Sequence, residues 1–408
     1  MIKRTLCVPV LLFLAPACPA DITLLGSASF PGNATDQSGL SGEVAPGVPA
    51  NVLGSHGSGI AWTGAGQTFL MVADRGPLDG ATPFRCRWHT IEFTVDDAGT
   101  VGAAPRCIAT TLLSDERGRP FIGDAAAIDS GDDAKALRLD PEAIRVGPDG
   151  TVYVAEEYGP SVLAFAPEGR LLRRLPIPDK FLCKHPAAGK AAELPPANTS
   201  GRVPNHGFEG LATVPGSGRL YGIVQGPLIQ DGALDGRNKP AGTNVRILEL
   251  NADEPGATPR EFLYQLDSPR HCVNEILAVN SHEFLVIERD EAAGAEAKSK
   301  RIVRIDIAGA SDIAAVPSLP AKGAPEGVRP VSKTALIDLL DSRFGLGGPR
   351  MPAKIEGLAF GPDLKDGRHV LMVTSDNDVK PQEPTWVWVF ALDDKDLPGF
   401  ASQRPNAK

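Results

Sequence analysis

Four glutamates, Glu142, Glu209, Glu275 and Glu356, each stand near the start of a short apolar run. The steps between them are 67, 66 and 81 residues. After each run a second one ends in polar residues: Glu156 and Glu157, Gln225 and Gly226, Glu288 and Arg289, Ser375 and Asp376. An earlier pair of runs offers Ser58 and Gly59, with Asp74 and Arg75 at the end of the second. Carboxylates gathered at one place repel, by about 4 kcal/mol for two unit charges about 4 Å apart at an effective dielectric near 20. Protonation, arginines or a bound cation must relieve that repulsion. An irregular set of oxygen ligands suits Ca²⁺ better than zinc or copper. The expected metal ligands are therefore Glu142, Glu209, Glu275, Glu356, Glu156 and Asp376. The alternative is structural: each Glu can cap a strand by accepting backbone N–H bonds.

The elements that would gather these groups repeat. Five segments start at Ser58, Asp140, His206, Cys272 and Lys354. Each reads as an apolar strand, a turn of Gly, Pro, Asp or Asn, and a β-branched strand, which is a hairpin signature. Two further strand-like runs follow each hairpin except the last, which has only TWVWVFAL. The missing outer strand is ITLLGSASF, after residue 21, pairing with the last blade to close a ring. The spacing exceeds the roughly 40–50 residues of a propeller blade, so insertions are expected at 114–139, 182–205, 290–300 and 316–333. The expectation is an all-β chain: a single β-propeller over 21–395 with five visible four-stranded blades, followed by a polar tail, 396–408. A sixth, degenerate blade could hide in an insertion. In a blade the start of the inner strand lies beside the end of the second strand. The glutamates and the polar ends therefore share one channel mouth.

Residues 1–20, MIKRTLCVPVLLFLAPACPA, read as a secretory leader: a basic start, an apolar run too short to span a bilayer, and small residues before Asp21. A lipid-anchored Cys18 is the second choice, because Ala15-Pro16-Ala17 is a poor lipoprotein signal. The expected location is periplasmic or secreted. Losing Lys3 and Arg4 with the leader takes the net charge from −9 to −11. Such acidity argues against nucleic acid as partner. Four cysteines remain, Cys86, Cys107, Cys183 and Cys272, with no CxxC for zinc. In an exported protein, disulfides Cys86–Cys107 and, by elimination, Cys183–Cys272 are expected.

Basic residues join the carboxylates. Arg75 and Arg289 end second strands, and the repeat places them at equivalent positions. His206, Arg270 and His271 lie close to the next hairpins. Cations beside a carboxylate-held metal suit phosphate esters, since the metal polarises the phosphoryl group and arginines hold its oxygens. The expected catalytic set is Glu209, Glu157, Arg75 and Arg289. There is no G-x-S-x-G, P-loop or dinucleotide fingerprint. GSHGSG, at 54–59, offers Ser58 and His56 as a pair without a third member.

The runs DPEAIRVGPDGTVYVAEEYGPSVLAF, NHGFEGLA, LYGIVQGPL, VNEILAV, FLVIERD and KIEGLAFGPDL resemble the phytase-like family, labelled "esterase-like activity of phytase". The resemblance runs from about Gly59 to Asp378. It implies an exported propeller that hydrolyses phosphate or carboxylic esters, with a looser likeness to calcium-dependent propeller phytases. The ring carries few Lys and Arg for a six-fold phosphorylated substrate. Three functions follow as expectations: a Ca²⁺-dependent hydrolase of small phosphate esters; a non-catalytic ligand- or protein-binding propeller with structural calcium; and a carboxylic esterase using Ser58 and His56.

Overall fold

Short β-branched runs separated by tight turns pair locally into antiparallel hairpins, because each turn returns the chain beside its own start. The computed structural model, which describes residues 22–128 and 137–403, contains five four-stranded antiparallel sheets. Their inner strands are Gly59–Trp62, Pro141–Val146, Phe208–Thr213, His271–Ala278 and Lys354–Phe360, one for each of blades one to five. Second strands are Thr68–Val72, Val152–Glu156, Arg219–Val224, Glu283–Asp290 and His369–Asp376. The inner strands pack side by side in a closed ring, from blade one to blade five and back. Five blades are present, and a small hairpin, Glu43–Ala45 with Val48–Pro49, precedes the first.

Closure follows the expected route. Thr23–Phe30 pairs antiparallel with Thr385–Leu392, Ala28 facing Val387, and becomes the outer strand of blade five. First and last segments of the chain thus share one sheet, so Thr385–Leu392 is not left as a bare sheet edge. The inner ring is tight enough to require glycine. A Cβ on Gly210 would lie 2.6 Å from the backbone nitrogen of Ile276 in blade four, and one on Gly59 2.9 Å from the carbonyl of Glu142. Between blades all four strands bury aliphatic and aromatic side chains, including Phe208, Tyr221, Ile247 and Phe262 in blade three.

The two expected disulfides do not form: all four cysteines are free thiols. Cys107 sits in the outer strand opposite Ile91, whereas Cys86 pairs its backbone with Leu113 and Phe121 further along the sheet. Cys183 and Cys272 line two different cavities. Beyond residue 395 the chain stays packed: Leu397 is buried, the Phe400 ring lies 4.7 Å from that of Phe360, and Ala401 N–H donates to Val279. The leader reading, residues 1–20, and Cys18 fall outside the described residues. Among the described residues no helix is long and apolar enough to cross a membrane.

Candidate active site at the channel mouth

A one-residue slip in strand pairing sets the geometry. In blade two Pro141 faces Glu156 and Ala143 faces Ala155, so Glu142 has no residue opposite it. The same slip leaves out Glu209 in blade three and Glu356 in blade five. Such bulges re-aim a side chain out of the sheet. In blade four the residue left out is Asn274, not Glu275. Glu275 lies one residue deeper, where it forms an ion pair with Arg145 (Nη2 to Oε2, 2.9 Å) and accepts from the backbone of Leu211 and Ile276. Arg145 also donates to the carbonyls of Ile60 and Ile276, tying blades one, two and four together beneath the mouth.

The remaining carboxylates converge. Asp140, Glu142 and Glu157 each offer an oxygen, and these three atoms lie within 4.8 Å of one another. Asp140 was not anticipated; it directly precedes the strand that carries Glu142. Glu157 accepts from Gly207 N–H at 3.1 Å through Oε1 and reaches across to Glu209. Glu209 Oε1 accepts from Gln225 Nε2 and Asn274 Nδ2, both at 2.6 Å. Glu356 Oε1 accepts from Arg289 Nη2 at 3.0 Å, with Asn274 Nδ2 at 3.4 Å. On the blade-five side Asp376 pairs with Lys354 at 3.0 Å, and Asp74 binds the Gly76 N–H. Glu156 is turned elsewhere: it accepts from Tyr158 N–H, Gly159 N–H and Ser161 Oγ and holds a turn.

Pairing register also separates the two arginines. Arg289 follows Glu288, which faces Val273, as Asp74 follows the corresponding position in blade one. Arg75 is therefore one residue beyond the position equivalent to Arg289. Both are buried and already engaged. Arg75 grips Asp140 and Asp79 and lies 3.7 Å from Glu157 Oε2. Arg289 holds Glu356. Their first task is to fix the carboxylates.

Burial drives the electrostatics. Glu157 is pushed up to about 7 by burial and then by Asp140. Burial raises Glu142 well above the carboxylate range, reinforced by Glu209, Asp140 and Glu157. Glu209 is raised the same way, with Glu157 and Glu356 adding to it. Glu157 Oε2, Glu209 Oε2 and Glu356 Oε2 are buried and accept no hydrogen bond. Buried carboxylate oxygens without donors cost several kcal/mol unless a proton or a cation supplies the missing charge. The donor set is all oxygen, so the residues present fit a hard divalent cation such as Ca²⁺.

The Ser58 and His56 pair is not assembled. Ser58 Oγ donates to the Ser55 carbonyl, and His56 Nδ1 lies 3.0 Å from the Gly54 carbonyl, with its ring edge-on to Phe30. Burial lowers His56 to about 4, so it stays neutral. Around the mouth the loops hold several non-glycine residues in left-handed conformation: Leu78, Asp79, Asn205, Asp378 and Val379. Strained backbone of this kind concentrates at functional sites.

Fold and site together define a five-bladed propeller with a buried carboxylate cluster at one end of its channel. The chain belongs to the phytase-like family, described as "Esterase-like activity of phytase", which matches residues 53–379. An uncharacterized secreted protein of Arthroderma benhamiae is 28% identical over 316 residues, 63% of this chain and 61% of that protein. The chain thus spans less than two thirds of that relative's length. Among solved structures, an exo-beta-1,3-galactanase from Phanerochaete chrysosporium is 12% identical, with a TM-score of 0.43, over 92% of this chain and 66% of that one. A gluconolactonase from Xanthomonas campestris is 12% identical, with a TM-score of 0.35, over 93% of this chain and 98% of that one.

Proposed function

We propose that this chain is an exported hydrolase of phosphate esters that works at the channel mouth with a divalent cation, Ca²⁺ by its donor chemistry, held by Asp140, Glu142 and Glu157. The observation that carries the reading is the set of three buried carboxylate oxygens, on Glu157, Glu209 and Glu356, that accept no hydrogen bond from an N–H or hydroxyl donor. Export is supported by the leader-like residues 1–20 and by the secreted relative. When bound, the cation would supply positive charge to the phosphoryl oxygens. The chain's own residues do the rest. Gln225 and Asn274 lock one oxygen of Glu209 and leave the other to take a proton from water. Arg75 and Arg289 hold Asp140 and Glu356 in place. Arg270, exposed at the rim, offers a cation for the outer phosphoryl oxygens.

Burial of the cluster supports a second reading. Asp140 is 0% exposed and Glu157 1%, as in a site that only stiffens the ring of a ligand-binding propeller. Chelation separates the two. In the first reading, hydrolysis of p-nitrophenyl phosphate is lost on chelation and returns with calcium. In the second, no ester is turned over and only the melting temperature moves.

A further inference from the structure

A cavity of about 220 Å³ is lined by residues at the ends of blades three and four, among them His206, Gly226 and Cys272. Three of its wall residues flank the groups that build the Glu209 site. His206 precedes Gly207, whose N–H binds Glu157; Gly226 follows Gln225; and the Cys272 thiol bonds Asn274 Oδ1 at 3.3 Å. Pro227, Pro240 and Pro269 form an apolar part of the remaining wall, which also carries the charged Arg270 and Glu291. In the same wall stands His271. Its Nδ1 lies 2.9 Å from Glu288 Oε1, and its side chain keeps 15% of its surface. Glu288 is itself fixed by Tyr264 Oη, the Asp267 N–H and Lys333 Nζ, so the imidazole has an anchored carboxylate behind it. A carboxylate accepting from Nδ1–H fixes the ring, and Nε2 carries a transferable proton only when the ring is an imidazolium. The hydrolase reading has no use for this dyad, and no group in it serves the leaving oxygen.

We propose that His271, oriented by Glu288, is the general acid for the leaving group, and that the proline-lined cavity takes the alcohol part of a compact monoester. The inference rests on the hydrolase reading above. In the step, water oxygen bonds to phosphorus as the phosphorus–alcohol oxygen bond breaks. The water proton passes to Glu209, and the Nε2 proton of the His271 imidazolium passes to the departing alkoxide. Neutral alcohol and inorganic phosphate leave, Glu209 gives its proton to solvent, and His271 is reprotonated from solvent. Apolar walls and size select the alcohol. A cavity of about 150 Å³ accepts a benzene ring, so this one fits a single-ring or short-chain alcohol and excludes a polyphosphorylated ring.

The test is leaving-group dependence. A general acid contributes about 10²–10⁴-fold where the leaving group is basic, and little where it departs readily as an anion. His271→Gln is expected to lose about 100-fold in kcat on phenyl phosphate and less than tenfold on p-nitrophenyl phosphate, with its melting temperature kept. Equal losses on both esters, or none, overturn the acid role and leave the hydrolase reading standing. Absence of turnover of either ester by the unmodified protein with calcium overturns both. Should the variant not fold, the unmodified protein decides alone: kcat across aryl phosphates should depend only weakly on leaving-group acidity. A steep dependence contradicts the proposal.

Discussion

Asn274 donates to Glu209 Oε1 across 2.6 Å, from the one blade whose bulge carries an amide where three others carry a carboxylate. The amide reduces charge crowding while keeping a hydrogen bond to its neighbour. Asn274→Asp would place a fourth carboxylate against Glu209 and Glu356. Without a cation, an added unpaired buried charge should cost about 3 kcal/mol or more. Thermal melts in chelator and in calcium check this: the variant should fall sharply in chelator and recover most of the loss in calcium. Equal losses in both buffers would place Asn274 outside the cation's reach.

Glu275 and Arg145 form a separate, deeper ion pair. Arg145→Met leaves Glu275 buried and uncompensated, for a loss of about 3–5 kcal/mol. Glu275→Gln in the same chain should restore part of it. Denaturant unfolding of the two single variants and the double measures the coupling. The calcium affinity of the double variant should match that of the unmodified protein, because this pair lies below the cluster.

Acidity gives a signed prediction. Burial pushes both Glu157 and Glu275 up to about 7, from an ordinary 4.5. A carboxyl with a raised folded pKa binds its proton more tightly in the fold. Its stabilisation is complete below about pH 4.5 and is lost as pH rises toward about 7. Chelated protein should therefore melt at progressively lower temperature between about pH 5 and about pH 7.5. Calcium should flatten that slope. A flat profile in chelator would mean these carboxylates do not carry the burial argued for them.

The thiols are a fourth check. Cys86, Cys183 and Cys272 are buried and burial raises all three, Cys272 to about 11. Thiol titration without reductant should find them unreactive in the native protein and four reactive groups per chain of residues 21–408 after denaturation. Finding fewer than four after denaturation would mean that a disulfide forms after all.

Much of this was legible in the sequence. Hairpin repeats gave the blades, and the orphan strand TWVWVFAL pointed to its partner Thr23–Phe30. Register was harder. Aligning on glutamate put Glu275 with Glu142, Glu209 and Glu356, whereas aligning on the aliphatic residue two positions after the bulge, Ile144, Leu211, Ile276 and Leu358, puts Asn274 there. The same off-by-one separated Arg75 from Arg289. Asp140 opens its repeat in the sequence, and an Asp-Pro just before a bulged Glu brings two carboxylates to one strand end. Cysteine pairing could not be read at all, because it depends on distances along and between sheets that residue counts do not contain.

The most direct measurement is a calorimetric titration of chelator-treated protein with calcium, run beside Glu142→Gln. The account predicts saturable binding of a cation at the Asp140, Glu142 and Glu157 cluster, with proton release from the raised carboxyls, and at least tenfold weaker binding in the variant. No heat and no rise in melting temperature at millimolar calcium, or binding that Glu142→Gln leaves untouched, would contradict it.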